Sequence, residues 1–269
     1  MTEKSAFRLL HERPGAFIIP NPWDRGTARM LAALGFEALA TTSAGAAFGE
    51  GVREGTMSPQ AMLDHCRVIA EATPLPVSAD LEKGFGDSPD SAAETIKAAA
   101  AIGLAGASLE DHTGDRANPI YDFDLAVERI AAAVEARDAL DADFVLTARA
   151  ENHLWGRHDV GDTIRRLQAF EAAGADVLYA PGLRDLDTIR QVCAAVTKPV
   201  NVIRGGVRGM SLTDLASAGV KRVSVGSALA RAAFGTFIDA AEEMATRGTF
   251  EFGAGMASFE KIESLLPEN

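Results

Sequence analysis

Three short stretches of the chain carry acidic side chains that could act together. They are Asp80 and Glu82 in PVSADLEKGFGD, Glu110 and Asp111 in ASLEDH, and Glu151 in TARAEN, where Arg149 stands two residues earlier. Carboxylates gathered in one place repel each other unless a cation compensates them. With no cysteine or paired histidine in these stretches, the fitting ion is a hard one, Mg2+ or Mn2+. Such an ion keeps several waters and takes only one or two protein carboxylates. Asp80 directly precedes the glycine-rich turn EKGFGD, where small residues leave room for a ligand, and is the expected direct metal ligand. Glu82, Glu110 and Asp111 are expected to act through water. A structural reading stands beside this one, in which the same carboxylates cap helices or pair with Arg53, Lys83 or Arg149.

Other residue types complete the constellation. Arg149 offers a guanidinium for a bidentate grip on a carboxylate or phosphate, or alternatively an ion pair with Glu151 or Glu110. The run Thr42, Ser43, Ala44 and Gly45 combines hydroxyls with small neighbours and can present N–H groups to an anion, although a turn needed only for packing gives the same pattern. His112 directly follows the second acidic stretch and is counted with Arg149 and Glu110 as a candidate catalytic group. Asn201 is a further polar candidate. Histidines 11 and 65 read as structural, 153 and 158 as exposed loop residues, and Tyr179 and Pro181 as packing.

Something must bring these stretches together. Short β-rich runs alternate with alanine-rich helical segments, the mark of repeated βα units around a parallel sheet. Eight runs are expected as strands, spanning residues 17–20, 38–42, 76–80, 107–111, 144–149, 177–181, 199–203 and 222–226. Ser58–Pro59 and Ser88–Pro89 fit helix N-caps followed by proline in the first turn, and glycines follow several helices. The rhythm is unbroken from residue 17 to about 245, so an α/β chain closing as a (β/α)8 TIM-type barrel is favoured over an open sheet, with residues 1–269 as one domain. In such a barrel, residues at the carboxyl ends of strands carry the chemistry. The acidic stretches, Arg149 and Thr42–Gly45 all fall at such ends. The tail from Gly253 to Asn269 is expected to form an extra helix that caps the barrel or reaches a neighbouring subunit.

Bulk properties narrow the partners. A net charge of −12 disfavours nucleic acid and anionic membranes as partners. No apolar run is long enough for a signal peptide or a membrane span, so a cytoplasmic location is expected. Cys66 and Cys193 lie in helical segments and are expected as buried reduced thiols.

Taken in order, SADLEKGFGD, GASLEDH, LTARAEN, GADVLYAPG and KPVNVI resemble the isocitrate lyase and phosphoenolpyruvate mutase superfamily over nearly the whole chain. That resemblance implies a (β/α)8 barrel, a homo-oligomer (dimer or tetramer) that exchanges a terminal helix, bound Mg2+, and 2-oxo or 2-hydroxy acids handled through an enolate-like intermediate. Residue by residue, it implies Asp80 as direct ligand and Glu82 where many members have a second aspartate. It makes Glu110 the fourth-strand glutamate near the metal, Arg149 the substrate arginine and Ser43–Gly45 the carboxylate-binding turn. Asn201 would lie near the substrate's other end, and Glu54 would match a common aspartate.

One departure matters. Isocitrate-type lyases carry a K-K-C-G-H loop after the fourth strand, where this chain reads HTGDRANPIYDF, and the K-T-N-S loop of the mutases is also missing. The expectation is therefore a Mg2+-dependent lyase that cleaves a C–C bond of a small carboxylic acid, oxaloacetate decarboxylase-like or otherwise. The alternatives are a phosphoenolpyruvate or carboxyphosphonoenolpyruvate mutase that works on a P–C bond, and a barrel that binds without catalysis.

Overall fold

The computed structural model describes residues 4–204 and 209–267. All eight expected strands form: β1 Phe17–Ile19, β2 Leu39–Ala40, β3 Val77–Asp80, β4 Gly106–Glu110, β5 Val145–Arg149, β6 Val177–Tyr179, β7 Val200–Ile203 and β8 Arg222–Ser224. Every ladder is parallel, in the order β1-β8-β7-β6-β5-β4-β3-β2, with helices between consecutive strands. The first and last strands pair, Phe17 opposite Arg222 and Ile19 opposite Ser224. The remaining seam, between β1 and β2, has no ladder. The Ala40 N–H donates to the Pro20 carbonyl at 3.0 Å there. Asn21 reinforces the seam: its amide donates to the Thr41 carbonyl, and its Oδ1 accepts from the N–H groups of Val225 and Gly226. The result is a TIM-type (β/α)8 barrel.

Local signals explain the helices. Ser58 and Ser88 accept from the N–H three residues on, each with proline next in line, and open the helices Pro59–Ala70 and Pro89–Ala101. The helix Val160–Ala172 ends before Gly174, whose φ of 106° and a Val134 methyl within 2.9 Å of any added Cβ leave room for glycine alone.

Strand alternation divides the interior. Leu109, Leu146, Leu178, Val202 and Val223 face the helices and belong to the main apolar core. The opposite face lines the barrel. Its amino-terminal end is plugged by Phe17, Ile19, Ala38, Val145 and Val177, on which the helix Ala6–Glu12 lays Phe7 and Leu10. Above that plug the inward residues turn polar. The expected tail helix forms over Phe259–Glu263 only, and Asn269 lies outside the described residues. Phe259 is 85% exposed, so its ring caps nothing within the single chain. Among the described residues, no helix is long and apolar enough to cross a membrane.

Candidate active site

Asp80, Glu110 and Arg149 end β3, β4 and β5 in the inward phase, and Glu110 is level with Arg149 in the ladder. Arg149 is the hub. Its Nη1 donates to Asp80 Oδ1 at 2.8 Å, its Nε to Glu151 Oε1 at 2.9 Å, and its Nη2 lies 3.1 Å from Glu110 Oε2. Tyr179, next on β6, lays its ring 4.9 Å beneath the guanidinium carbon. Burial opposes the charge on Arg149, yet Glu151, Glu110 and Asp80 outweigh it and raise its pKa.

The second oxygen of Asp80 is also held. Ser43 donates to Oδ2 from its N–H at 3.3 Å and its hydroxyl at 3.1 Å, and Thr41 Oγ1 accepts from the Asp80 N–H. Thr42 caps the helix Ser43–Gly49, its hydroxyl taking the Gly45 N–H. Gly45 is packed: an added Cβ would stand 2.5 Å from the Thr42 methyl and 3.0 Å from Trp23.

One arginine does not balance the carboxylates around it. Glu82, in a turn where its φ is +51°, has its pKa pushed up to about 7 by burial and then by Asp80, Glu110 and Glu54. Glu54 is raised for the same reasons, burial first. Glu151, 1% exposed, is raised because burial outweighs the attraction of Arg149. Asp111 is directed away from the group: strand alternation points it outward, where it accepts from Arg166 at 3.0 Å and from the Glu151 N–H at 2.8 Å. It therefore lies outside the set that could reach an ion through water.

A cavity of about 240 Å3 opens above these residues, lined at its mouth by Thr42, Ser43, Ala44, Glu54, Asp80 and Arg149. Asn201 lies deeper in the same cavity, bonded to Ser224 and Arg222. Glu110 reaches the group through Arg149. His112 stacks on Trp155 at 3.9 Å and 8°, with Nδ1 3.6 Å from Glu110 Oε1. Glu82, Glu110, His112 and Gly45 stand beside the cavity and not in its wall.

Sequence reasoning missed several wall residues: Tyr179, Arg222, and the hydroxyls of Ser78, Ser108 and Ser224. Their signal was present in the phase of the strands, because Ser78 shares the face of Asp80, and Ser108 that of Glu110.

Among the described residues, no three Asp, Glu, His or Cys side chains converge into a metal cage. A hard divalent ion needs no cage, since one carboxylate and waters suffice. Burial first and the neighbouring carboxylates second raise Glu82 and Glu54, and this surplus of oxygen donors fits such an ion at Asp80. Cys66 and Cys193 take no part: burial pushes their thiols up to about 12 and about 11.

Comparison with known proteins places this geometry in context. A family model described as phosphoenolpyruvate phosphomutase matches residues 7–245. A crystal structure from Burkholderia cenocepacia J2315, provisionally described as a lyase/mutase, is 59% identical, covers 96% of this chain and 93% of its own, and superposes with a TM-score of 0.92. The 2-methylisocitrate lyase of Escherichia coli strain K12 is 30% identical over 78% of this chain and 73% of its own. The oxaloacetate decarboxylase of Ectopseudomonas mendocina strain ymp is 28% identical over 76% of this chain and 70% of its own.

Proposed function

Because the chain belongs to the phosphoenolpyruvate phosphomutase family, within the isocitrate lyase and phosphoenolpyruvate mutase superfamily, we propose that it is a Mg2+-dependent (or Mn2+-dependent) lyase that cleaves a C–C bond of a small 2-oxo or 2-hydroxy acid. The observation that carries this reading is the Asp80 carboxylate. It is fixed at both oxygens by Arg149 and Ser43 and faces a cavity whose mouth has more carboxylates than cations.

Asp80 would hold the ion directly, with Glu82 and Glu110 reaching it through water. When bound, the ion supplies positive charge where the substrate's keto oxygen turns negative. The chain's own groups do the remainder. Arg149, propped by Tyr179, and the turn Ser43–Gly45, chiefly through the Ala44 N–H, would orient the substrate carboxylate. As the C–C bond breaks, its electron pair moves onto one fragment as an enolate and the other fragment departs, as carbon dioxide from a 2-oxo acid or as a carbonyl compound from a 2-hydroxy acid whose hydroxyl proton passes to water. Carbon then regains a proton from water. We assign the relay of that proton to His112, which stacks on Trp155 near Glu110 beside the cavity. The exposed Phe237, Phe250 and Phe259 support a homo-oligomer.

The relatives divide over which bond breaks, and the family model's description favours a second reading, a mutase acting on a P–C bond. The test is a screen of oxaloacetate, 2-methylisocitrate, 2,3-dimethylmalate and phosphonopyruvate with and without Mg2+, read as pyruvate release and by phosphorus NMR. Metal-dependent pyruvate from a carbon substrate is expected. Rearranged phosphonopyruvate alone would establish the second reading, and no turnover of any of the four would leave a binding protein.

A further inference from the structure

The mouth of the cavity has more carboxylates than cations, whereas its floor has a cation without a carboxylate. Arg222 opens β8 in the inward phase and is 4% exposed, yet it lines the same cavity as Asp80. Its Nε donates to Asn201 Oδ1 at 2.9 Å and its Nη2 to Thr147 Oγ1 at 2.9 Å. Nη1 lies 3.3 Å from His11 Nε2. All three partners are neutral. No carboxylate pairs with this guanidinium among the described residues, and of its five N–H donors three are occupied. Burial accordingly lowers its pKa to about 10, with only Tyr179 in opposition. A buried unpaired charge is costly, so a barrel floor that served packing alone would hold an apolar side chain there.

We propose that Arg222 binds a second carboxylate of the substrate, which makes the ligand a dicarboxylic acid standing upright in the barrel, one acid group at the mouth and the other on the floor. This deepens the function proposed above and rests on it. The spacing supports it. Arg149 at the mouth and Thr147 beside Arg222 are two residues apart on β5, a rise of about 7 Å along the strand, which suits a chain of four or five carbons. Between the two levels the wall offers the hydroxyls of Ser78, Ser108 and Ser224. A monocarboxylic acid would leave the floor charge uncompensated, so charge balance selects against it.

The experiment is calorimetric and needs no turnover. The Mg2+-loaded protein is titrated with oxalate, which is short enough to occupy the mouth alone. It is then titrated with both enantiomers of malate and of lactate, which differ by the distal carboxylate, and with tartronate and 2-hydroxyglutarate as shorter and longer diacids. At least tenfold tighter binding of one malate enantiomer than of the matching lactate is expected, with tartronate weaker than malate. Arg222→Gln should erase the malate preference and hold oxalate affinity within twofold, while Arg222→Lys keeps part of the preference. Equal binding of malate and lactate by the unaltered protein overturns the proposal even if neither variant folds, as does a malate preference that survives in Arg222→Gln. Failure of oxalate to bind would instead count against the metal site at the mouth, so the two readings fail separately.

Discussion

Arg149 and Asp80 meet at 2.8 Å across the mouth of the barrel, although β4 lies between their strands. That contact, with Ser43 on the other oxygen, gives the Asp80 carboxylate a single orientation. Asp80→Ala should lower kcat/KM at saturating Mg2+ by roughly a thousandfold, the scale expected when a charge-stabilising group is lost. The expected unfolding midpoint is close to that of the unaltered protein, because Asp80 is half-buried and its removal relieves like-charge crowding. Full activity in this variant would end the metal-lyase reading.

Removal of the ion should act through the same carboxylates. Treatment with a chelator is expected to abolish turnover, and Mg2+ or Mn2+ should restore it. Burial first, and then the neighbouring carboxylates, push Glu82 up to about 7, and a cation beside it favours the charged form, so added Mg2+ should also release protons near neutral pH, measurable with a weakly buffered indicator. No proton release on binding would place the ion away from this group.

Arg149 and Glu151 are buried together, so their loss should be strongly non-additive. Arg149→Met leaves Glu151 unpaired and is expected to cost about 3–5 kcal/mol, whereas the double variant Arg149→Met/Glu151→Gln should recover a substantial part of that. Urea titrations of the two single variants and the double variant decide this. Additive losses would mean that the pair is not coupled.

His11 ties stability to acidity. Nδ1 bonds the Phe7 carbonyl at 2.8 Å and Nε2 faces Arg222, so the folded ring is neutral with its proton on Nδ1. Burial first, and then Arg222, lower its pKa from 6.5 to about 3. Between those values the unfolded chain takes up a proton that the folded chain refuses. The ring's contribution is therefore full above pH 6.5 and is lost progressively as the pH falls toward 3. At 1.36 kcal/mol per pH unit, about 2 kcal/mol is gone by pH 5. The stability difference between the unaltered protein and His11→Gln should fall by that amount from pH 7 to 5. A constant difference would assign the acid sensitivity to other groups.

How much was legible in the sequence depended on whether a residue's role is local. The eight strands were, because outward Leu109, Leu146 and Val202 alternate with inward Ser108, Thr147 and Asn201, and glycine or proline stands near many of the boundaries. Asp80, Arg149 and Ser43 were legible because a strand's carboxyl end has a fixed place in a barrel. Arg222 was not. It begins its strand, and only the register opposite Asn201 and Phe17 shows that it stands at the cavity floor. Tyr179, expected to pack, does pack, but its partner is the guanidinium of Arg149. The pairing of Asp111 with Arg166 joins residues 55 positions apart and depends on how the neighbouring helix seats, which no local pattern records.

The seam held by Asn21 bears on how the chain reaches this form. Its side chain joins backbone groups 204 residues away, whereas most βα units contact only the next one. Closing so long a loop is entropically expensive and earns its contacts only when both ends have already formed. Closure should therefore be the slow late step in refolding, and an eighth strand waiting for its first would expose sheet edges to other chains. Asn21 then helps to keep those edges paired once the barrel has closed, a task separate from the chemistry it sits beside.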